Sequence, residues 1–566
     1  MTRFRSSSRS RRVTLVGTAG LLFACGSSSV ARHATDAGHA RDATPVSDGS
    51  VGACTTTAGA SGTLLRGTLL LPTGPTQGEL LISASGTIAC AAASCAASAG
   101  YSAATLIECP SAVISPGLIN PHDHTEYATV GPEPHGTIRY EYRNDWDRGA
   151  DGATPLPSVV NAAYLDAGTA QIDAVIAAQE LRLVLGGGTS VIGSGGVNGL
   201  ARNLAAYGSG TGSDEGLTGD TVYFDTYPLD NDSATVVTSG CVYPATVAPS
   251  SAFAYGRFVP HIAEGINTAA ENELLCLMQA SNDVVTSQTS VIHGVGMNGK
   301  DVSALKASGA VLVWSPRSNL SLYGNTAPIS ELSYAGVTVA LGTDWLASGS
   351  MNMLRELACA DSLNKTYFGG VWTDQQLFEM ATVNGAIAAG FQTQIGSLAP
   401  GMQADIAVFD GTTHAGYRAL IDASSEDVRL VLRGGKVLYG EANVVGALGG
   451  ASCAPLSVCG ISRSVCIDSP GVTLSDVEAI GASVYEIFPC RTAPPPEEPT
   501  CVPYRDTYPN GITGSDQDGD GVDDSSDDCP TIFNPIRPMD GAKQADVDGD
   551  GFGDACDTAP LDPTKH

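Results

Sequence analysis

The sequence predicts an α/β fold in which parallel strands alternate with crossover helices. Strand-like and helix-like stretches take turns through the middle of the chain, and chemically reactive side chains come at the carboxyl ends of the strand-like stretches. The predicted strands are residues 189–193, 221–226, 257–261, 290–293, 310–314 and 338–342, and the predicted helices are residues 161–185, 268–280, 351–364 and 373–389. Such alternation is typical of a parallel sheet whose connecting helices pack on its face.

Short strands separated by Gly and Pro turns are predicted on both sides of this alternating region. They cover residues 63–72 and 78–88 before it, and residues 396–410 and 428–440 after it. Composition of this kind indicates β-structure. The chain has 566 residues, which is too long for one ordinary core, so we expect more than one domain.

The chain is strongly acidic, and its acidic residues are unevenly distributed. The formal net charge is -30, although only 16% of the residues are charged. Residues 501–566 contain fifteen Asp, no Glu and four Lys or Arg. An acidic chain repels nucleic acid phosphates, so we expect no nucleic acid partner. The acidic tail is predicted to have a function of its own.

The first residues indicate export. Five arginines precede a short apolar run at residues 13–24, which is too short to remain in a bilayer as a spanning helix. The run ends in Leu22, Phe23, Ala24 and Cys25, which resembles a bacterial lipobox and implies lipidation of Cys25 after removal of residues 1–24. We expect membrane attachment through Cys25 in the cell envelope, at the outer membrane or cell surface; plain secretion is the alternative. Residues 25–55 are predicted to be a flexible tether.

Fourteen cysteines follow Cys25, and in an exported protein such a number predicts disulfides. One group lies early, at positions 54, 90, 95 and 109, and another lies late, at positions 453, 459, 466, 490 and 501. Their connectivity is left open. Residues 446–500 are predicted to be a Cys- and Pro-rich connector before the acidic tail.

The pattern His122-Asp123-His124 predicts a metal site. Residues i and i+2 of a strand point to the same face, so both imidazoles can reach one ion. Three further segments follow in the chain, with His261 and Glu264 in the first, His293 in the second and Asp344 in the third. Imidazole nitrogen and carboxylate oxygen are the donors that zinc-type catalytic sites use, with one position left for water.

This set of four segments resembles the amidohydrolase superfamily of metal-dependent hydrolases. The resemblance implies a (β/α)8 TIM-like barrel at residues 116–395, beside a composite β-sandwich built from residues 56–115 and 396–445. It also implies that His122, His124, His261 and Asp344 bind the metal, and that Glu264, His293 and Asp344 are catalytic. In that scheme Glu264 carries a proton to the leaving nitrogen, His293 stabilises developing charge, and Asp344 takes a proton from the water.

One metal ion, Zn²⁺ or Fe²⁺, is expected. Binuclear members of the superfamily usually bridge two ions with a carboxylated lysine, but the chain has no lysine before Lys300. A bridging carboxylate such as Asp225 is the remaining route to two ions.

Residues 315–320 and 336–344 resemble the branch that contains atrazine chlorohydrolase and S-adenosylhomocysteine deaminase. The resemblance implies hydrolysis of a carbon–nitrogen bond, other than a peptide bond, in a small cyclic substrate, by deamination or by amide or amidine hydrolysis. Four residues are predicted to contact substrate: Trp314, Ser318, Asn319 and Trp345. The chain departs from the branch at both tryptophans. The alternatives are a binuclear amide or lactam hydrolase and a non-catalytic, calcium-dependent surface lipoprotein.

The tail, residues 501–566, contains the motif D-x-D-x-D-G-x-x-D twice, at a spacing of 30. Its oxygen ligands suit Ca²⁺. The predicted calcium ligands are Asp516, Asp518, Asp520, Asp524 and Asp527 in the first copy and Asp546, Asp548, Asp550, Asp554 and Asp557 in the second. The copies resemble thrombospondin type 3 repeats; a disordered acidic tail is the alternative. Cys529 is expected to pair with Cys556, with Cys501 as a competing partner.

Overall fold

The computed structural model describes residues 52–134, 136–157, 169–205, 215–219 and 221–566. The predicted signal segment, Cys25, nearly all of the predicted tether and the first part of the predicted helix 161–185 lie outside these residues. None of the described helices is both long enough and apolar enough to cross a membrane.

The described strands lie in three sheets. In chain order they are β1 (Thr55–Thr57), β2 (Thr63–Leu71), β3 (Gly74–Ile82), β4 (Ile88–Ala92), β5 (Thr105–Pro116), β6 (Leu118–Asp123), β7 (Gly188–Gly193), β8 (Arg202–Asn203), β9 (Val222–Asp225), β10 (Arg257–Ile262), β11 (Ser290–His293), β12 (Val311–Trp314), β13 (Val339–Leu341), β14 (Ile406–Asp410), β15 (Val428–Arg433), β16 (Lys436–Glu441), β17 (Ala454–Val458) and β18 (Ile461–Val465).

The described α-helices lie mostly between the parallel strands. They are α1 (Arg143–Arg148), α2 (Thr169–Leu185), α3 (Pro249–Ala252), α4 (Thr268–Leu277), α5 (Gly299–Ser308), α6 (Pro316–Tyr323), α7 (Ile329–Ala335), α8 (Met353–Thr366), α9 (Asp374–Met380), α10 (Val383–Ala389), α11 (Arg418–Ile421), α12 (Ala442–Ala447) and α13 (Leu474–Ser483). The single helix expected at 373–389 is two helices, because the backbone leaves the helical region at Thr382.

The largest sheet combines strands from both flanks of the chain. Its order is β17-β18-β16-β15-β14-β5-β2-β3-β4, with β1 paired to β5. The joint is the antiparallel pair of β5 and β14, in which Ile114 lies opposite Val408. Both residues are buried in one apolar cluster with Leu69, Leu80 and Leu430. The predicted boundary at residue 445 falls inside this sheet, because β17 and β18 of the predicted connector extend it.

The remaining strands are all parallel to their neighbours. One sheet has the order β13-β12-β11-β10-β9 and the other the order β6-β7-β8. Two isolated parallel bridges lie between these sheets, one joining Ala205 to Val222 and the other joining Asp123 to Asp344. The carboxyl ends of parallel strands share one edge, so the ends of β6, β10, β11 and β13 come together there. The two-residue strand β8 was not predicted from the sequence.

Alternate residues of the parallel strands face two different cores. In β12, Val311 and Val313 pack with the interior residues of the other parallel strands. Leu312 and Trp314 pack on the opposite face, in the large cluster that also contains residues of the surrounding helices. Both faces of the strands are therefore buried, as expected for a parallel sheet covered by helices.

Seven disulfides link the cysteines of the described residues. They are Cys54–Cys109, Cys90–Cys95, Cys241–Cys276, Cys359–Cys501, Cys453–Cys466, Cys459–Cys490 and Cys529–Cys556. Cys529 pairs with Cys556, while Cys501 bonds to Cys359 of α8. The tail is therefore attached covalently to the helical layer, and its Tyr508 and Phe533 join the large apolar cluster.

Candidate functional site

Three imidazoles meet at the shared edge of the parallel strands. His122 is in β6 and His124 follows it, while His261 is the penultimate residue of β10. The Nε2 atom of His261 lies 3.0 Å from Nε2 of His122 and 3.2 Å from Nε2 of His124. The two histidines of the His-x-His pattern thus reach one point, as their spacing predicts.

Asp344 brings a carboxylate to the same point. Its Oδ1 lies 3.4 Å from Nε2 of His122 and 3.6 Å from Nε2 of His124. Its backbone N–H donates to the carbonyl of His122, 3.0 Å away. Gly342 makes this approach possible, because a Cβ there would lie only 2.6 Å from Cβ of His122. The four predicted ligands therefore form one compact cluster.

The cluster fits a divalent cation. Burial lowers the pKa of His122 and His261 well below the ordinary value and lowers that of His124 to about 4, so all three rings are neutral near pH 7. The Nδ1 of His261 donates to the backbone carbonyl of Asp225, 3.1 Å away, which leaves a lone pair on Nε2. Neutral nitrogen lone pairs facing one another beside a carboxylate oxygen are the donor set that a Zn²⁺-type ion uses.

Groups behind the ligands fix their orientation. Nδ1 of His122 is 2.8 Å from the hydroxyl of Ser315, the residue after β12. The hydroxyl of Ser318 donates to Oδ2 of Asp344 over 2.6 Å. Asp225 contributes its carbonyl to His261, while its carboxylate accepts from the backbone N–H of Tyr227 at 3.1 Å. Such outer contacts orient metal ligands and tune their basicity.

Glu264 lies beside the cluster in a constrained turn after β10. Its carbonyl accepts from the N–H of Arg143, and the N–H of the preceding Ala263 donates to the carboxylate of Glu273. Arg143 and Glu273 form a buried ion pair at 2.7 Å, which secures both contacts. Burial raises the pKa of Glu264 to about 8, so its carboxyl group retains a proton near neutral pH. A carboxyl with this pKa is suited to proton transfer.

His293 ends β11 and faces Glu264. Its Nε2 is 3.6 Å from Oε1 of Glu264 and 4.0 Å from Oδ2 of Asp344. Its Nδ1 is 3.0 Å from the amide oxygen of Asn319, which assigns the ring proton to Nδ1 and a lone pair to Nε2. Burial lowers the pKa of His293 to about 3. The ring is therefore a neutral hydrogen-bond partner held at the site.

Three of the strand ends at the site carry a non-glycine residue in the left-handed backbone region. These are Ala263, His293 and Asp344, with φ of 54°, 70° and 59°. A residue with a side chain adopts this region only when the surrounding structure holds it there, and such positions are concentrated at functional sites.

The four predicted substrate contacts have different surroundings. Ser318 and Asn319, both in α6, lie against Asp344 and His293 as described above. Trp345 is nearly buried, and its indole N–H donates to Ser348 while its ring lies 5.8 Å from that of Tyr127. The prediction that Trp314 contacts substrate is wrong. Its side chain faces the helical layer and its indole N–H donates to Thr326, away from the interior face of β12.

Two residues near Glu264 were not predicted from the sequence. The hydroxyl of Tyr323 donates to Oε1 of Glu264 over 2.8 Å, and the indole N–H of Trp146 donates to the Tyr323 oxygen over 2.7 Å. They are 177 positions apart in the chain, and no short motif links them. Trp146 lies in residues 135–151, a segment rich in Tyr, Arg and Trp in which the sequence departs from the resembled branch.

The two acidic motifs of the tail have matching backbone geometry. In the first copy the carboxylate of Asp516 accepts from Gly519 and Gly521, and in the second Asp546 accepts from Gly549 and Gly551. Carboxylates converge in each copy, with positions 516, 518 and 520 forming one group and 546, 548 and 550 the other. Of the other predicted ligands, Asp524 and Asp527 accept from Gln517 and Gln544, and Asp554 accepts from the N–H of Gly299.

Several oxygens of these carboxylates are buried without a hydrogen-bond partner among the described residues. They are the Oδ2 atoms of Asp518, Asp527, Asp548 and Asp557. Buried oxygens of this kind need a donor or a cation. Their chemistry fits a hard ion such as Ca²⁺.

Comparison with known proteins relates part of the chain to a family and most of it to a fold. Residues 250–438 match the sequence profile of the amidohydrolase family. A 5-methylthioadenosine/S-adenosylhomocysteine deaminase from Teredinibacter turnerae is 39% identical over 134 residues, which cover 23% of this chain and 30% of the relative. A 5'-deoxyadenosine deaminase from Methanosarcina mazei is 33% identical over 167 residues, which cover 27% of this chain and 37% of the relative. The matched segments thus span about a third of the length of these curated relatives.

Among solved structures, a triazine hydrolase from Arthobacter aurescens is similar over 75% of this chain and 99% of its own length, with a TM-score of 0.50 and 17% identity. A variant of triazine hydrolase is similar over 67% of this chain and 94% of its own, also with a TM-score of 0.50, at 19% identity. At such identity the likeness concerns the fold alone. Residues 250–438 of this chain, which carry His261, Glu264, His293 and Asp344, therefore match the amidohydrolase family, on a fold similar to that of triazine hydrolase.

Proposed function

We propose that this protein is a metal-dependent hydrolase that cleaves a carbon–nitrogen bond, other than a peptide bond, in a small cyclic substrate. The observation that carries the proposal is the convergence of three neutral Nε2 atoms and Oδ1 of Asp344 beside Glu264 and His293. The match to the amidohydrolase family over residues 250–438 supports it, as do the relatives named as deaminases.

One divalent ion, Zn²⁺ or Fe²⁺, is the proposed cofactor, with His122, His124, His261 and Asp344 as its ligands. When bound, the ion supplies Lewis acidity, which polarises the substrate and makes water a better nucleophile at neutral pH. A single ion agrees with the absence of lysine before Lys300 and with Asp225 turning its carbonyl toward His261.

The side chains around the proposed metal position divide the proton transfers. Asp344 takes a proton from the attacking water through its carboxylate. Glu264, which burial keeps protonated, delivers its proton to the leaving nitrogen, and the proton that Asp344 took from the water restores Glu264 before the next turnover. His293 accepts a hydrogen bond at Nε2 while Asn319 holds its Nδ1–H. Ser318 keeps Asp344 oriented throughout.

A six-membered or fused aromatic N-heterocycle that bears an amino group is the proposed substrate class. The relatives' names, deaminases of 5-methylthioadenosine, S-adenosylhomocysteine and 5'-deoxyadenosine, support this class. The side chain of Trp345 lies 6.5 Å from the ring of His124, and that of Trp146 lies 5.6 Å from Trp345, so flat aromatic surface borders the metal cluster. Such surface suits a planar ring.

The eight parallel strands are proposed to close into a (β/α)8 barrel, with the flanking sheet as a composite β-sandwich. The bridge between Ala205 and Val222 and the bridge between Asp123 and Asp344 support closure, because they link the ends of the two parallel sheets. Placement of the site at the carboxyl edge of the strands agrees with such a barrel.

The tail is proposed to bind Ca²⁺ through its ten motif aspartates, in the manner of the thrombospondin type 3 repeats that it resembles. The repeated backbone geometry and the unpartnered Oδ2 atoms support this proposal. Export with lipidation of Cys25 remains the proposed localisation, and the seven disulfides agree with an oxidising compartment.

Metal content and ammonia release together test the proposed function. The purified chain should hold one transition metal per molecule, and a His122→Ala variant should hold none. With metal bound, the wild type should release ammonia from at least one member of a panel of aminopurine nucleosides, aminotriazines and cyclic amides. Two metal ions per chain would favour a binuclear hydrolase. Absence of both metal and turnover would leave a non-catalytic surface protein.

A further inference from the structure

Tyr323 forms a hydrogen-bonded link between Glu264 and a loop far from it in sequence. It is the last residue of α6 and its side chain is fully buried. Its hydroxyl lies 2.8 Å from Oε1 of Glu264, and the indole nitrogen of Trp146, in α1, lies 2.7 Å from the same hydroxyl. The three groups form a chain that ends at the proposed proton carrier.

The direction of each hydrogen bond in this chain is fixed by chemistry. An indole N–H can only donate, so the oxygen of Tyr323 accepts from Trp146. The phenol has one hydrogen of its own, and the remaining partner is the carboxyl of Glu264. Tyr323 therefore donates to Oε1. Because Oε1 accepts from Tyr323, the transferable proton of Glu264 is favoured on Oε2.

The backbone around Tyr323 is held by the C-terminal tail. Nη1 of Arg505 donates to the carbonyl of Tyr323 and to the carbonyl of Tyr140, each over 2.8 Å. The next residue, Gly324, has a φ of 70° and packs so closely on the tail that a Cβ there would lie 2.0 Å from the carbonyl oxygen of Tyr504. The disulfide between Cys359 and Cys501 anchors this part of the tail.

We infer that Tyr323 is a positioning residue for Glu264, orienting its carboxyl group so that Oε2 carries the proton to and from the substrate, with Trp146 fixing the direction of the hydrogen bond. The inference rests on the proposed function, in which Glu264 is the proton carrier. It assigns a role to two residues that lie outside the metal-ligand set.

The test compares Tyr323→Phe with a matched control, Tyr140→Phe. Tyr140 is a buried tyrosine of the same aromatic cluster whose hydroxyl donates to the carbonyl of Thr154, 3.1 Å away. Each substitution removes one buried hydroxyl and keeps the ring. Glu264 becomes charged when it gives up its proton, and a hydrogen bond to a charged group has a larger effect than one to a neutral carbonyl, so Tyr323→Phe should lower kcat by about tenfold with little change in KM. Tyr140→Phe should leave kcat within about twofold.

The pH profile separates positioning from general destabilisation. Loss of the hydrogen bond from Tyr323 raises the pKa of Glu264, so the alkaline limb of the kcat profile, where Glu264 loses its proton, should move to higher pH in Tyr323→Phe. Trp146→Phe should give a smaller shift in the same direction. Metal content should stay at the wild-type value in all of these variants. A merely structural role would lower activity without moving the limb.

Infrared difference spectra give a readout that does not depend on turnover. The carboxyl stretch that is present in the wild type and absent in Glu264→Gln reports protonation of Glu264 directly. The pH at which half of this signal is lost, the infrared midpoint, should be higher in Tyr323→Phe than in the wild type. If the wild type turns over substrate, and kcat, the limb of the pH profile and the infrared midpoint are all unchanged in Tyr323→Phe, the inference is wrong but the proposed function stands. A metal-loaded wild type that turns over no member of the panel would overturn the proposed function, and the infrared midpoint would then still decide whether Tyr323 holds Glu264.

Discussion

The Nε2 atoms of His122 and His261 lie 3.0 Å apart in a buried cluster where both imidazoles are neutral. The Nε2 of His261 carries a lone pair because its Nδ1 donates to a backbone carbonyl. Two such nitrogens gain nothing from each other in the absence of a proton or a cation between them. The local stability of the cluster therefore depends on the proposed ion.

Replacement of His261 by alanine should remove the transition metal from the protein. This change deletes the nitrogen that takes part in both short Nε2–Nε2 contacts, so His122, His124 and Asp344 no longer have the third imidazole that completes the donor set. We expect metal content to fall from one equivalent to less than about a tenth, and hydrolysis to fall by at least about a thousandfold. Element analysis of the purified variant checks the first value, and ammonia release checks the second.

His414→Ala is the matched control for that experiment. His414 is an exposed histidine, 3.5 Å from Asp422, and lies in the segment between β14 and β15. Its removal should change neither metal content nor turnover. Retention of a full equivalent of metal in His261→Ala, with turnover intact, would mean that the ion is bound elsewhere.

Ser318→Ala should weaken the site without removing a ligand. The hydroxyl of Ser318 donates to Oδ2 of Asp344 at 2.6 Å and is also 2.8 Å from the hydroxyl of Ser348. Loss of a contact of this kind typically costs about 10- to 100-fold in metal affinity or activity. Competition with a chelator of known affinity measures the first quantity, and steady-state kinetics measures the second.

The control for this variant is Ser330→Ala. Ser330 is buried in α7, and its hydroxyl has no hydrogen-bond partner among the described residues. Removing that hydroxyl should leave metal affinity unchanged. Equal effects of the two substitutions would show that a lost buried hydroxyl, rather than the contact to Asp344, is responsible.

The sequence indicated much of the metal cluster because the relevant patterns are local. Strand periodicity places His122 and His124 together, and the parallel order of the strands brings His261 and Asp344 to the same edge. Each of the six predicted strands overlaps a described one. The strand patterns depend on residues within a few positions of one another, which a single sequence displays, whereas the choice of His261 and Asp344 as ligands came from the resemblance to the amidohydrolase superfamily.

Other features depend on tertiary contacts that the sequence does not display. The link between Trp146 and Tyr323 joins residues 177 positions apart, and the disulfide between Cys359 and Cys501 spans 142. Trp314 follows the alternation of β12, so its side chain packs with Leu312 on the helical side, but the sequence alone did not say which face of the strand lines the interior. The direction of a face is set by the register of the neighbouring strands.

The stability of the tail should depend on pH in opposite ways with and without calcium. Burial raises the pKa of Asp518 to about 8 and that of Asp520 to about 7, from an ordinary value of 3.8. Since the folded state holds these protons more tightly than the unfolded state, their contribution is fully present below pH of about 4 and is lost as pH rises through about 8. Under the proposed calcium binding, Ca²⁺ would replace the protons when the carboxylates ionise.

Thermal unfolding with calcium or with a chelator checks this dependence. In chelator, the transition of the tail should fall to lower temperature between about pH 5 and about pH 8, and added calcium should raise it most at the higher pH. Asp518→Asn, which has no charge to titrate, should flatten the dependence in chelator. A calcium effect of the same size at both pH values would contradict the assignment of these carboxylates as calcium ligands.

Removal of the disulfide between Cys359 and Cys501 should destabilise the protein more than removal of the one between Cys90 and Cys95. The first closes a separation of 142 residues and the second a separation of 5. A crosslink restricts the unfolded chain more when its loop is longer, which gives about 5 kcal/mol for the first and about 2 kcal/mol for the second. Paired Cys→Ala variants, unfolded in denaturant, measure the two free energies of unfolding.

The same pair of variants also shows what the longer disulfide holds in place. Arg505 lies four residues after Cys501 and donates to the carbonyl of Tyr323, so a loosened tail should release the turn that carries Tyr323. We therefore expect protease to cut the tail of the Cys359–Cys501 variant sooner than that of the wild type. The activity of this variant should fall by about as much as that of Tyr323→Phe. The Cys90–Cys95 variant should show neither effect. Equal protease resistance and activity in both variants would mean that the contacts of Arg505, Tyr508 and Phe533 hold the tail without the crosslink.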